Sequence, residues 1–188
     1  FFNIPLITSI CLELEEQCPT ILKDGKQKWI EDEKYQKLRA LLENVMVTWD
    51  WAEAIVATNL ILDAILYPLF FEKMTAVAVK NNDNVYVSFS EFFMEMFEYE
   101  RNYTTALVKM LLADRPENKD VIASYVNKWL PLVIEAIKPV LAVFDLPQNG
   151  GNGEEALQQV IDQYVKSLLV DELQLITALP LETTGEVI

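Results

Sequence analysis

The chain has 188 residues, 52% of them hydrophobic, and sets 29 acidic side chains against 15 basic ones for a net charge of −14. That length suits one domain with a substantial core. The acidic balance argues against nucleic acid, whose phosphates need a basic surface, and against anionic membrane surfaces. Histidine is absent altogether, which removes Ser–His and Cys–His catalysis and every imidazole metal ligand. Only 5 glycines, long periodic apolar segments and few hairpin signals point to an all-α class.

Residues 1–22 read as a helix, with Ile7, Ile10, Cys11 and Leu14 at helical spacing and Pro19 as its end or break. The run starts at Phe1 without a methionine, a basic start or a small-residue cleavage site, so it makes a poor signal peptide. It reads as a fragment or processed form of a longer chain. Cys11 and Cys18 cannot make a four-ligand zinc site without histidine or further cysteines. On one helix they would also be too far apart for a disulfide. A reduced pair in a cytoplasmic protein is the expectation.

The segment Lys23-Asp24-Gly25-Lys26 has the composition of a turn. Asp32 is placed to cap a long helix that starts near Glu33 and runs through Leu38, Leu41, Leu42, Val45 and Trp49 into the apolar stretch Val45–Phe71. That stretch contains Asp50, Glu53 and Asp63, so it lacks an uncharged span long enough to cross a bilayer and reads as a core helix. Asn81-Asn82-Asp83-Asn84 is a loop, followed by a helix from about Val85 to Ala113. A further helix runs from about Lys119 to Phe144, kinked or divided by Pro131 and Pro139. Residues 148–153 form a flexible loop, Glu154 to Leu169 a last helix, and the tail from Thr177, with Pro180 and Thr183-Thr184-Gly185, looks irregular. The glycines at 150, 151 and 153 lack the strand, spacing and lysine of a phosphate loop.

Two sets of carboxylates stand out. On the helix from Val85, the residues Glu91, Glu95, Glu98, Asn102, Thr105 and Lys109 share a stripe, opposite Phe92, Met96, Tyr99, Tyr103, Ala106 and Met110. A solvated face is the favoured reading; metal ligation is the sharper one, and with Glu53 these acids would make a carboxylate-only site. The second set, Asp50, Glu53, Asn59 and Asp63, lies in a segment apolar almost all round. Buried acids there need partners, with Arg39, Arg101 and the lysines as candidates. A structural ion-pair network or an interface is favoured over a remnant metal site, because a di-metal bundle needs an acid and a histidine at i, i+3. Trp29, Trp49, Trp51 and Trp129 read as core and interface anchors.

The stretch Trp29–Arg39 (WIEDEKYQKLR), then Glu43, then Asp50–Leu60 (DWAEAIVATNL) resembles the β subunit of soluble bacterial multicomponent diiron monooxygenases, the hydroxylases of methane, propane, alkenes, phenol and toluene. It matches the patterns W-x-x-D-x-x-[WY]-Q-x-x-R and D-W-x-E-x-x-x-A-x-N, departing in acid spacing at Glu31–Lys34. Glu98-Tyr99-Glu100-Arg101 and Lys128-Trp129-Leu130-Pro131 extend the likeness, which covers residues 29–145. Residues 1–28 then form an N-terminal helix and turn, and 146–188 a C-terminal helix and tail. The resemblance implies a ferritin-like helical bundle, partial or shortened, to be completed by a partner chain. It implies no catalytic residue and no cofactor in this chain, since the diiron centre belongs to the α subunit. Tyr99 and Asn102 match positions where an acid–x–x–His pair would stand. The implied partners are that catalytic α subunit, a small γ subunit and a reductase or regulatory protein. Asp50, Trp51, Glu53, Asn59, Glu100, Arg101 and Trp129 are the candidates for structural or interface roles.

Overall fold

The computed structural model describes residues 3–146 and 150–180. Every regular element among them is helical. In chain order these are α1 (Asn3–Gln17), α2 (Ile21–Glu31), α3 (Glu33–Met46), α4 (Trp51–Lys80), α5 (Asn84–Asp114) and α6 (Asn118–Ile137). A 3-10 segment, Lys138–Val143, extends α6. Helix α7 starts as Gly153–Val160 and continues in π-helical form over Ile161–Glu172.

α4 is the centre of the bundle. It packs on α5, α6 and α7, while α3 packs on α6 and α1 chiefly on α2. Leu60, Ile61, Ile65 and Leu69 of α4 are fully buried, together with Leu130 and Ile137 of α6 and Leu169 of α7. By length and composition α4 is apolar enough to cross a membrane. Its apolar residues instead form the core of this bundle, which is the usual place for a helix hydrophobic all round. Between α4 and α5 the contact is aromatic: Phe71 stacks on Phe93 at 4.8 Å and Tyr67 on Phe97 at 5.5 Å. Such offset pairs add about 0.5–1.5 kcal/mol each beyond the area they bury.

α4 is not regular along its length. Two π-helical stretches, Val56–Leu62 and Pro68–Lys73, interrupt it. Pro68 explains the second, because it has no N–H to give to the preceding turn and the helix must widen to pass it. In α6, Pro131 is buried within a continuous helix, and the division falls at Lys138, beside Pro139.

Three local expectations need correction. Lys23–Lys26 is not a turn but lies inside α2; the break is at Cys18, Pro19 and Thr20. Gly25 meets nothing that would penalise or require it. The helix from Glu33 does not run on into the apolar stretch. It stops at Met46, and Asp50 restarts the chain as α4 by accepting hydrogen bonds from the Ala52 and Glu53 amides at 2.8 and 3.0 Å. Asp32 does cap α3, through the Lys34 amide at 3.1 Å. Third, the two stripes of α5 do not divide into a solvent face and a core face. Its core stripe is Ser90, Phe93, Phe97, Thr104 and Val108, and Tyr99, Tyr103 and Met110 point out. Thr105 is the one residue of the polar stripe that is buried.

Gly153 opens α7 at a close approach: a Cβ there would lie 2.6 Å from the Leu141 carbonyl oxygen. Its amide donates to Asp145 at 2.8 Å, and Asn152 caps the helix through the Glu155 amide. Residues 173–180 are irregular. Gln148, Asn149, Thr183, Thr184 and Gly185 lie outside the described residues.

Candidate functional site

Chemistry-bearing side chains gather at two places on α4. The first is its N-terminal turn. Glu53 is nearly buried there, and its Oε1 accepts from Lys128 Nζ at 2.7 Å and from Trp129 Nε1 at 2.8 Å, both on α6. The Lys128 ammonium also lies 5.0 Å from the centre of the Trp129 ring. A hydrogen bond to a charged acceptor contributes about 1.5–3 kcal/mol, so this junction ties α4 to α6. Just before it the chain is bare. Met46, Val47, Trp49 and Trp51 are exposed, Trp49 to 99%. An indole left wholly in water between two capped helices is the kind of side chain that anchors a protein interface.

The second place is a polar layer among α4, α5 and α7. Asp63 sits there without a charged partner. Burial, with a smaller contribution from the Glu100 charge, pushes its carboxyl up to about 7. Tyr67, one turn on, is raised to about 12 by burial, with the Asp63 and Glu100 charges adding to it. Next to Glu100, Arg101 donates to Ser167 Oγ at 3.3 Å and lies over the Tyr164 ring at 5.6 Å. The Tyr164 hydroxyl donates to Glu72, which Lys73 also neutralises at 2.8 Å. Burial first, then that bond to Glu72, raises the Tyr164 phenol above its ordinary range. α4, α5 and α7 are thus joined by one polar chain of contacts.

These residues do not fit a two-iron centre. The inward acids are Asp63 and Glu100, their neighbours are a guanidinium and two phenols, and none of these can replace an imidazole. Among the described residues there is no group of three His, Cys, Asp or Glu placed to hold a metal ion. Tyr99 and Asn102 are both on the outside of α5, as are Glu91, Glu95 and Glu98. Glu53 points to α6, so the four acids of a carboxylate-only site are not brought together. Asn59 is half-buried, its Oδ1 2.7 Å from the Thr58 hydroxyl, which also reaches the Ala54 carbonyl at 2.8 Å. The cysteines are free.

Tyr164, Ser167 and Glu72 had no sequence signal. They meet Arg101 or one another across intervals of more than sixty residues, and nothing in their local spacing marks the pairing. Lys128 was legible only as one of several lysines available to a buried acid.

Comparison with known proteins now bears on this bundle. Residues 3–115 match the family model described as methane/phenol/alkene hydroxylase. The chain belongs to this family. Among its relatives, it is 27% identical over 134 residues to the oxygenase component of phenol 2-monooxygenase from Pseudomonas sp. (strain CF600), covering 71% of this chain and 40% of that one. It is 29% identical over 118 residues to the hydroxylase component subunit beta of the toluene-4-monooxygenase system from Ectopseudomonas mendocina, covering 63% and 36%. It is 24% identical over 126 residues to the small subunit of the propane 2-monooxygenase hydroxylase component from Mycolicibacterium goodii, covering 64% and 34%. The chain therefore spans two fifths or less of the length of these relatives. A solved structure of xenon-pressurized phenol hydroxylase from Pseudomonas sp. OX1 superposes with a TM-score of 0.72 at 24% identity, covering 87% of this chain and 48% of that one. The family's helical architecture is thereby present here, and the fold is ferritin-like.

Proposed function

We propose that this family member is a structural, non-catalytic subunit of a multicomponent monooxygenase hydroxylase. It supports an iron-bearing catalytic α subunit that carries out O2-dependent hydroxylation or epoxidation of a small hydrocarbon. The relatives named as hydroxylase small or beta subunits support the role. The observation that carries it is the polar layer itself. Where a catalytic bundle of this fold would gather ligands, this chain has Asp63 and Glu100 beside Arg101 and Tyr164, and it has no histidine to offer. A fixed guanidinium repels a cation, so the layer holds helices together instead of holding iron. A small γ subunit and a reductase or regulatory protein complete the proposed assembly, which we place in the cytoplasm.

The contact with the α subunit is assigned to the exposed turn that begins α4. Trp49 and Trp51 supply large rigid apolar area, and Asp50 and Glu53 hold that turn in place from below. Glu100, Arg101, Asn59 and Trp129 act inside the chain by positioning α4 against its neighbours. Co-expression with the catalytic subunit of the same system tests this. The two chains are expected to co-purify, with all iron on the histidine-bearing partner. Trp49→Ala combined with Trp51→Ala is expected to weaken the complex at least about tenfold while leaving the isolated chain folded. Recovery of a stable chain that never associates would overturn the proposal.

A further inference from the structure

The outer face of α5 is unpartnered over its middle, residues 91–110, about 30 Å of helix. One edge of that face is apolar, with Tyr99 75%, Tyr103 64% and Met110 59% exposed. The adjoining edge carries Glu91, Glu95 and Glu98, all exposed, at intervals of four and three residues. None of the three makes an ion pair or hydrogen bond among the described residues. Lys109 is the cation on that edge, and it is already paired with Glu172 at 2.8 Å.

Two residues flank this helix from the core side with their own charge, Glu100 and Arg101, and both are engaged in the polar layer. The exposed carboxylates therefore have no internal counter-charge. A second copy of the same face would bring more carboxylates and no free cation to the seam, and an anionic lipid surface would be repelled. The apolar edge excludes a purely electrostatic partner, because leaving two tyrosines and a methionine in water gains nothing.

We propose that this face docks a basic amphipathic helix of another polypeptide in the hydroxylase assembly. Its apolar stripe would cover Tyr99, Tyr103 and Met110, and lysines or arginines along its edge would meet Glu91, Glu95 and Glu98 at matched helical spacing. The inference rests on the assembly reading above but concerns a different face from the Trp49–Trp51 turn.

The test uses the full chain and two synthetic helix-stabilised peptides with one leucine stripe each, one edged with arginine and the other with glutamate. The arginine peptide is expected to bind at least about tenfold more tightly than the glutamate peptide. It should also weaken at least about tenfold as salt rises from about 50 to about 500 mM. Reversing the face with E91K, E95K and E98K should abolish that preference. A control of equal charge change elsewhere, E13K with E16K and D171K, should retain most of it. Tyr99→Glu with Tyr103→Glu should weaken binding without changing the helix content, since both side chains are exposed. Equal binding of the two peptides, or equal effects of the two triple variants, overturns the proposal. Co-purification with the catalytic subunit is scored separately. If it persists while the peptide results fail, this face is wrong and the assembly reading stands. If peptide binding holds while co-purification fails, the assembly reading falls and the face remains.

Discussion

Asp63 occupies the interior of the bundle with its carboxyl pushed up to about 7 from an ordinary 3.8, burial acting first and the Glu100 charge second. The unfolded chain releases this proton near pH 4 and the folded chain near pH 7. Between those values the folded state holds more protons, so this group's contribution to stability falls as pH rises from about 4 to about 7 and is level above that. Asp63→Asn removes the slope. Its stability advantage over the parent is expected to grow across that window and to settle at about 1–3 kcal/mol above neutrality, read from urea titrations at stepped pH. Parallel pH profiles for the two proteins would contradict the assignment. Glu53 behaves in the opposite sense, because its carboxylate has partners. Glu53→Ala strands the Trp129 indole and the Lys128 ammonium, and is expected to cost about 2–4 kcal/mol, with Glu53→Gln costing less because it keeps an acceptor for the indole.

Helix starts were legible where a capping side chain stood in the sequence. Asp32 was readable as a cap, and Asp50 uses the same chemistry, yet the apolar run on both sides of Asp50 hid the break between α3 and α4. The expected outcome for Asp50→Ala is a loss of about 1 kcal/mol and fraying of the first turn of α4, seen as lost amide protection at Ala52 and Glu53. The turn expected at Lys23–Lys26 failed because Gly25 looks like a breaker but is tolerated on an exposed helix face. Gly153 was read as part of a flexible loop, whereas its real constraint is the Leu141 carbonyl 2.6 Å from any Cβ, a long-range contact that composition cannot reveal. Gly153→Ala is expected to destabilise by about 2 kcal/mol or more in thermal or denaturant unfolding. The stripes of α5 misled for a related reason. Spacing showed two faces of contrasting polarity, but a third stripe through Phe93, Phe97 and Val108 is the buried one, and only the positions of α4 and α7 select it.

For the molecule as a whole, the all-helical, ferritin-like architecture followed from periodicity and from the match of Trp29–Arg39 and Asp50–Leu60 to a known pattern. The chemistry of its interior followed less directly. The absence of histidine argued against metal, but the occupants of the polar layer, Arg101 over Tyr164 and Tyr164 on Glu72, come from helices far apart in sequence. Two exposed surfaces, the Trp49–Trp51 turn and the outer face of α5, make the molecule an assembly component by physical criteria, since water gains nothing from either. The central claim is that the chain shapes a complex and holds no catalytic metal. Metal analysis tests it most directly: the purified chain is loaded with iron under reducing conditions and desalted, alone and as the complex with its catalytic partner. The account predicts stoichiometric iron in the complex and none retained by the isolated chain. Stoichiometric iron or manganese held by the isolated chain would contradict it.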